Sequence, residues 1–330
     1  MGGVAPGEPA RLVKMTDEEY FANPRMSRSD LFTYHKSPAL YKAKKDGLIE
    51  NPSSPALLFG SAFHTMVLEP QHFDERYVIY DGRRSASKSY KEMVETEADA
   101  GRQIVLRSEY DQMKKMRVSC LQHELVSTSL DDPEAIKEDV IFFDLMGVPC
   151  KAKIDLMCRR DIIDLKTSVS ADPSDFQSSV TKYGYHWQSY WYKKAAEAIG
   201  VKAEFYFAVV AKSEPHESSV VMLSPDYEKI AEDQISAAFE GMSAGSYESR
   251  WSNCIVELQP RPWESGKKKS VVFRTPTLEC ICQWCSDSYV REQGDYDCKR
   301  CGMMLCSDDC LDIHECVCDN PLDAEDRQVS

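Results

Sequence analysis

The hydrophobic period of this chain turns from helical to strand-like near its middle, and the change separates a helical half from a strand-rich half. Between Ser27 and Lys45 (SRSDLFTYHKSPALYKAKK) two short helical patterns follow polar starts: Ser27 or Ser29 can cap one helix, and Ser37-Pro38 can open the next. After the loop LIENPSSP, Ala56 to Leu68 (ALLFGSAFHTMVL) places small and apolar residues on a helical period and stops at Glu69-Pro70, which predicts a buried helix carrying His64. Residues 82–93 (GRRSASKSYKEM) are basic and serine-rich and read as a mobile loop before helices over 94–128. A solvated loop is the default for such a run; the functional alternative is a phosphate-contacting lip made by Arg83, Arg84 and Lys88.

Beyond Asp139 the period becomes two. VIFFDLMGVPCKAKIDLMCRR reads as two strands joined at Met146-Gly147, and DIIDLKTS as a third, so the three form a meander. A helix from about Tyr185 to Ile199, strands at 203–211 and 218–223, and a long amphipathic helix from Pro225 to about Ala244 complete a mixed α/β sandwich with a central sheet flanked by helices. After Arg250 the chain turns irregular. The division expected is a core domain over 1–250, a linker over 251–277, a cysteine-rich module over 278–320 and an acidic tail over 321–330.

A length of 330 residues with 42% hydrophobic and 28% charged positions fits a soluble protein of about two domains. No run of about 18 apolar residues occurs, and the opening MGGVAPGEPARL lacks the apolar stretch of a signal peptide, so a cytosolic protein is expected. The net charge of −14 argues against a generic basic nucleic-acid binder. It leaves room for a site that holds divalent metals, which must itself be acidic, beside a basic channel in an otherwise acidic surface.

The candidate chemistry lies on the strands. Asp155 falls near the end of one, and Asp164-Leu165-Lys166 on the next, so a hairpin-like register can bring two carboxylates and an ammonium to one edge. Asp164 and Lys166 share a face because strand side chains alternate. Oxygen ligands of this kind suit magnesium or manganese, which polarise phosphoryl oxygens and lower the pKa of an attacking water. Taken alone, D-x-K is a weak signal, and a histidine on an apolar helix is by default a hydrogen-bonded core residue.

The ordered set of segments is more specific than any one motif. SPALYKAKK with LLFGSAFHTMVLEP, then KAKIDLM, IIDLKTS and YHWQSYWYKKA, resembles the RecB-like branch of the PD-(D/E)xK nucleases, and more closely the RecE-type exonuclease domain of phages and prophages, over about residues 20–245. The resemblance implies a metal-site histidine at His64 and an additional acidic residue at Glu138, for which Glu134, Asp139 and Asp144 compete. It further implies ligands at Asp155 and Asp164, a main-chain carbonyl ligand at Leu165, and Lys166 orienting or deprotonating the water. The Q-x-x-x-Y pair falls on Gln188 and Tyr192, on one helical face. Trp187, Tyr190 and Trp191 beside them read as core. The activity implied is processive digestion of linear double-stranded DNA, 5′ to 3′, in phage-type recombination, with a single-strand annealing protein as partner and a ring-shaped homo-oligomer as assembly. Two alternatives change the class: a structure-specific or single-strand RecB-like endonuclease, and an inactive nuclease-like zinc-finger adaptor.

Thirteen cysteines are present, nine of them between Cys280 and Cys318. The spacing Cys282-x2-Cys285-x12-Cys298-x2-Cys301-x4-Cys306-x3-Cys310-x3-His314-x3-Cys318 offers eight soft ligands, enough for two tetrahedral zinc ions. So short a segment has little apolar material for a core, and metal would govern its folding. It is similar to MYND-type fingers, which implies Cys282, Cys285, Cys306 and Cys310 on one zinc and Cys298, Cys301, His314 and Cys318 on the other; Cys280 and Cys316 are spare thiols. From Glu279 to Ser330 there are 13 acidic and 4 basic residues, a surface that repels DNA and suits either a structural cap or a docking module for a protein partner.

Overall fold

The computed structural model describes residues 8–49, 54–85, 87–249, 279–281 and 288–290. The chain divides into two units, Met1–Val256 and Glu257–Ser330. In the second, Glu279–Ile281 pairs antiparallel with Ser288–Val290. The proposed zinc ligands, from Cys282 to Cys318, lie outside the described residues.

The first unit opens with β1 (Arg11–Val13), α1 (Asp17–Ala22) and β2 (Met26–Ser27). None of these follows from the hydrophobic pattern, although Thr16 and Glu19 form a capping box at the start of α1. Next come α2 (Arg28–Lys36) and α3 (Pro38–Lys45), then α4 (Pro55–Leu68). Ser27, rather than Ser29, caps α2 by accepting the Asp30 amide at 3.1 Å, and Ser37 and Ser54 cap the next two helices, each followed by proline at the first helical position.

α5 (Phe73–Arg76), β3 (Tyr77–Tyr80), α6 (Lys88–Asp99), β4 (Gln103–Leu106), α7 (Arg107–Leu121) and α8 (Glu124–Asp131) follow. Two expectations change here. The serine-rich segment is half helix, because Ser87 caps α6 instead of extending a loop. The helical stretch over 94–128 is interrupted by β4, whose Ile104-Val105-Leu106 run pairs in parallel with β3.

β5 (Ile136–Leu145), β6 (Val148–Cys158) and β7 (Asp161–Ser168) make the expected antiparallel meander. Met146 and Gly147 both take positive φ, 52° and 77°, the two-residue hairpin geometry whose twist matches the strands. Then come α9 (Pro173–Tyr183), which Asp172 caps and which the pattern did not announce, and α10 (Tyr185–Ala198). β8 (Glu204–Ala211), β9 (Ser218–Met222) and α11 (Pro225–Ser243) end the unit. The strand order is β1-β5-β6-β7-β8-β9, with β2 also paired to β6. β7 and β8 run parallel, joined by the crossover through α9 and α10, so the sheet is mixed.

The sheet separates two cores. One packs α2, α9, α10 and α11 against Ile141, Phe143, Ile154, Ile162 and Phe207; the other packs α4 and α7 against Leu156, Ile163 and Leu165. Trp187 and Trp191 are fully buried and anchor α10, their indole N–H groups donating to Gln234 at 2.7 Å and to the Lys151 carbonyl at 3.1 Å. They are core residues, as expected. Among the described residues, no helix is long and apolar enough to cross a membrane.

Candidate active site

α4 turns Phe59, Ala62, Phe63 and Met66 into its core, which leaves His64 at the margin of that face. Its Nδ1 lies 3.3 Å from Asp155 Oδ2 on β6. Asp155 Oδ2 also accepts the amide of Leu165 at 2.9 Å, and the Leu165 backbone hydrogen-bonds the His64 ring. Leu165 thus touches both side chains through its main chain.

A local irregularity brings Glu138 to the same point. Ile154 packs in one core and Leu156 in the other, although residues two apart on a regular strand share a face. The slip falls at Asp155. On β5, Ile136 and Ile141 share a core although they are an odd number of residues apart. The register is the same on both sides, with Lys137 opposite Leu156 and Asp139 opposite Ile154, so no residue is inserted. Glu138 instead takes φ 55°, an uncommon conformation for a side chain of this size. His64, Glu138 and Asp155 then each offer a ligand atom, all within 4.8 Å of one another.

Of the competing acids, Asp144 faces Arg25 at 3.9 Å, Asp139 lines a different cavity with Lys14, Glu69 and Arg117, and Glu134 is exposed. None of them joins His64 and Asp155.

Asp164 is set apart from that trio. It lies on the other face of β7, the face of Ile162, and is 1% exposed. Gln188 Nε2 donates to Asp164 Oδ1 at 2.5 Å, and the Lys166 ammonium lies against Oδ2. Lys166 is packed over the Tyr185 ring, 5.1 Å from its centroid. Gln188 in turn accepts from Arg28 at 3.2 Å, and Arg28 also donates to the Tyr183 carbonyl. Tyr192, one turn after Gln188, is half-buried against Phe205.

Burial dominates the electrostatics. It raises the carboxyls of Glu138, Asp155 and Asp164, with Asp155 adding to the rise at Glu138 and at Asp164, which reaches about 6; Lys166 opposes the rise at Asp155 and Asp164. Burial lowers His64 and so favours the neutral form, the one that can bind a metal. Burial, with the charges of Asp164 and Asp155, pushes the Tyr192 phenol well up.

One imidazole and two carboxylates, the carboxyls raised by burial, form a donor set that fits magnesium or manganese. Asp164 Oδ2 is buried and has no hydrogen-bond partner beyond its contact with the Lys166 ammonium.

Three residues at this site were not singled out in the sequence. Lys153 Nζ lies 2.7 Å from Glu138 Oε2 and 2.6 Å from Asp17 Oδ1, and Arg28 supports Gln188. Lys153 is two positions before Asp155 on the same strand, a K-x-D spacing that could have drawn notice. Asp17 and Arg28 carry no such local signal. Of the suggested DNA-contacting lip, Arg84 is forked onto Glu109 at 2.6 and 2.8 Å, Lys88 is highly exposed near Glu92, and Arg83 is exposed. Arg84 is therefore already paired with a carboxylate.

A family model described as a PDDEXK-like domain of unknown function (DUF3799) matches residues 27–253. The chain is also similar to the crystal structure of a "putative exonuclease" from Eubacterium rectale, with a TM-score of 0.53 and 18% identity over 77% of this chain and 98% of that one, a likeness of fold. No curated protein matches the chain.

Proposed function

The chain belongs to the PDDEXK-like family whose model spans residues 27–253, and from that premise we propose that it is a divalent-metal-dependent deoxyribonuclease of the RecE type, degrading linear double-stranded DNA from 5′ to 3′. The observation that carries the reading is the meeting of His64, Glu138 and Asp155 within 4.8 Å, with Asp164, Lys166 and Gln188 joined beside them.

The reaction adds water to phosphorus, breaks a P–O bond and delivers a proton to the leaving oxygen. A magnesium or manganese ion held by His64, Glu138, Asp155 and the Leu165 carbonyl would stabilise charge on the phosphoryl oxygens and lower the pKa of the attacking water. Asp164 serves as a further ligand or as the anchor of Lys166. Lys166 orients the water through its ammonium or, after giving its own proton to solvent, takes the water's proton as a neutral amine, and the Tyr185 ring restricts where its Nζ can lie. Gln188 fixes the Asp164 carboxylate, and Tyr192 places the strand. Arg83, Arg84 and Lys88 remain candidates for contact with the duplex, with Arg84 requiring release from Glu109. We assign the biological role to DNA end processing in recombination, with a single-strand annealing protein receiving the product. The eight Cys and His ligands from Cys282 to Cys318 we assign to two zinc ions.

The test is digestion of linear duplex DNA labelled at the 5′ or the 3′ end, with magnesium, comparing wild type with Lys166→Ala and including a closed circle. Shortening of linear DNA from its 5′ ends, lost in the variant, supports the proposal. Cut circles would make the protein an endonuclease, and equal inertness of both proteins across metals would remove the catalytic assignment.

A further inference from the structure

We infer that Lys153 is a positioning residue for Glu138, and that Asp17, from a helix outside the family-matched segment, sets how tightly Lys153 holds that carboxylate and so tunes divalent-ion affinity. The inference rests on the metal-site reading above. Glu138 is held in a left-handed backbone conformation that points it toward His64 and Asp155, and its Oε2 lies 2.7 Å from the Lys153 ammonium. An ammonium there orients the carboxylate by a charge-assisted hydrogen bond, but it also competes with a cation for the same charge.

Asp17 answers the competition by taking the same ammonium at 2.6 Å. Among the described residues, Lys153 is thus shared between the carboxylates of Glu138 and Asp17, while Lys166 is engaged by Asp164. The helix carrying Asp17 is itself fastened to β6. Lys151, buried beside Lys153, donates to the carbonyls of Tyr20 at 2.5 Å and Asn23 at 2.8 Å, and β2 pairs with β6 at Cys150 and Lys151. The family match begins at residue 27, so the segment that delivers this carboxylate lies before it.

The experiment is calorimetric titration of zinc-replete full-length protein with Mn2+ in the absence of DNA. Asp17→Asn is expected to weaken binding about three- to tenfold, less at high salt because Asp17 is exposed. Asp17→Glu should restore binding, and the melting temperature of the manganese-free protein should stay the same. Because Asp17 acts through Lys153, its penalty should disappear in a Lys153→Met background, or in Lys153→Gln if the methionine variant does not fold. Wild-type affinity in Asp17→Asn, or an equal penalty in both backgrounds, overturns the inference alone. A wild-type protein with no Mn2+ binding sensitive to His64→Ala overturns the metal-site reading and the inference with it.

Discussion

Gln188 donates to Asp164 at 2.5 Å across the sheet–helix interface, beside the trio formed by His64, Glu138 and Asp155. Gln188 occupies one oxygen while Lys166 lies against the other. The acidic constellation therefore has two bonded parts, His64 with Asp155 and Asp164 with Gln188 and Lys166.

Gln188→Ala should free the carboxylate and let Lys166 move with it. Nuclease turnover is expected to fall about 10- to 100-fold, the scale seen when a group supporting a metal site is removed. Steady-state kinetics at saturating magnesium will check this, and a fall repaired by added metal would place Gln188 in ion binding instead.

The proposed ligand trio makes a separate prediction. His64→Ala and Glu138→Ala should each weaken Mn2+ binding by at least about tenfold, whereas Asp139→Ala and Asp144→Ala should leave it near wild type. Calorimetry on the four variants distinguishes the acid that meets His64 from its neighbours in sequence.

The raised carboxyls set the direction of the pH dependence. Glu138, Asp155 and Asp164 keep their protons to higher pH in the folded chain than in the unfolded one, Asp164 to about 6. Their contribution to the stability of the metal-free protein is full below the ordinary carboxylate range and is lost as pH rises through the folded values, about 6 for Asp164. His64, lowered by burial, acts oppositely: its contribution is present above its ordinary value and is lost as pH falls. A divalent ion must displace the carboxyl protons, so its affinity should rise through the same window. Thermal shift with Mn2+ should be larger at about pH 7.5 than at about pH 5; an equal shift at both values would contradict the assignment.

Gly184 tests how the helix carrying Gln188 is aimed. It joins α9 to α10 at φ 69°, and an added Cβ would come within 2.5 Å of the Phe32 ring. Gly184→Ala should cost about 1–3 kcal/mol from the left-handed strain and the crowding together. Thermal denaturation should show a loss of a few degrees, about 2–4 °C per kcal/mol for a unit of this size. An unchanged melting temperature would mean that Phe32 moves freely aside.

The central meander was legible because its strands are short apolar runs rich in Val, Ile and Phe and Met146-Gly147 marks the turn; Asp155, Asp164 and Lys166 fall on β6 and β7 as expected. α10 and His64 on α4 followed from helical periodicity. The short pieces were not legible: β1, β2 and β4 are two to four residues long, and a pattern needs more positions than that to declare a period.

What the sequence determined by itself is local: which residues face a core, where helices are capped, and that Asp164 and Lys166 share a face. Tertiary structure decided which acid meets His64, that Gln188 and Lys166 share Asp164, and that Lys153 stands between Glu138 and Asp17. The physical reason is the distance along the chain. The slip at Glu138 and Asp155 depends on two strands meeting in one register, and Asp17 reaches Lys153 across more than a hundred residues, so neither leaves a periodic trace for a local pattern to carry.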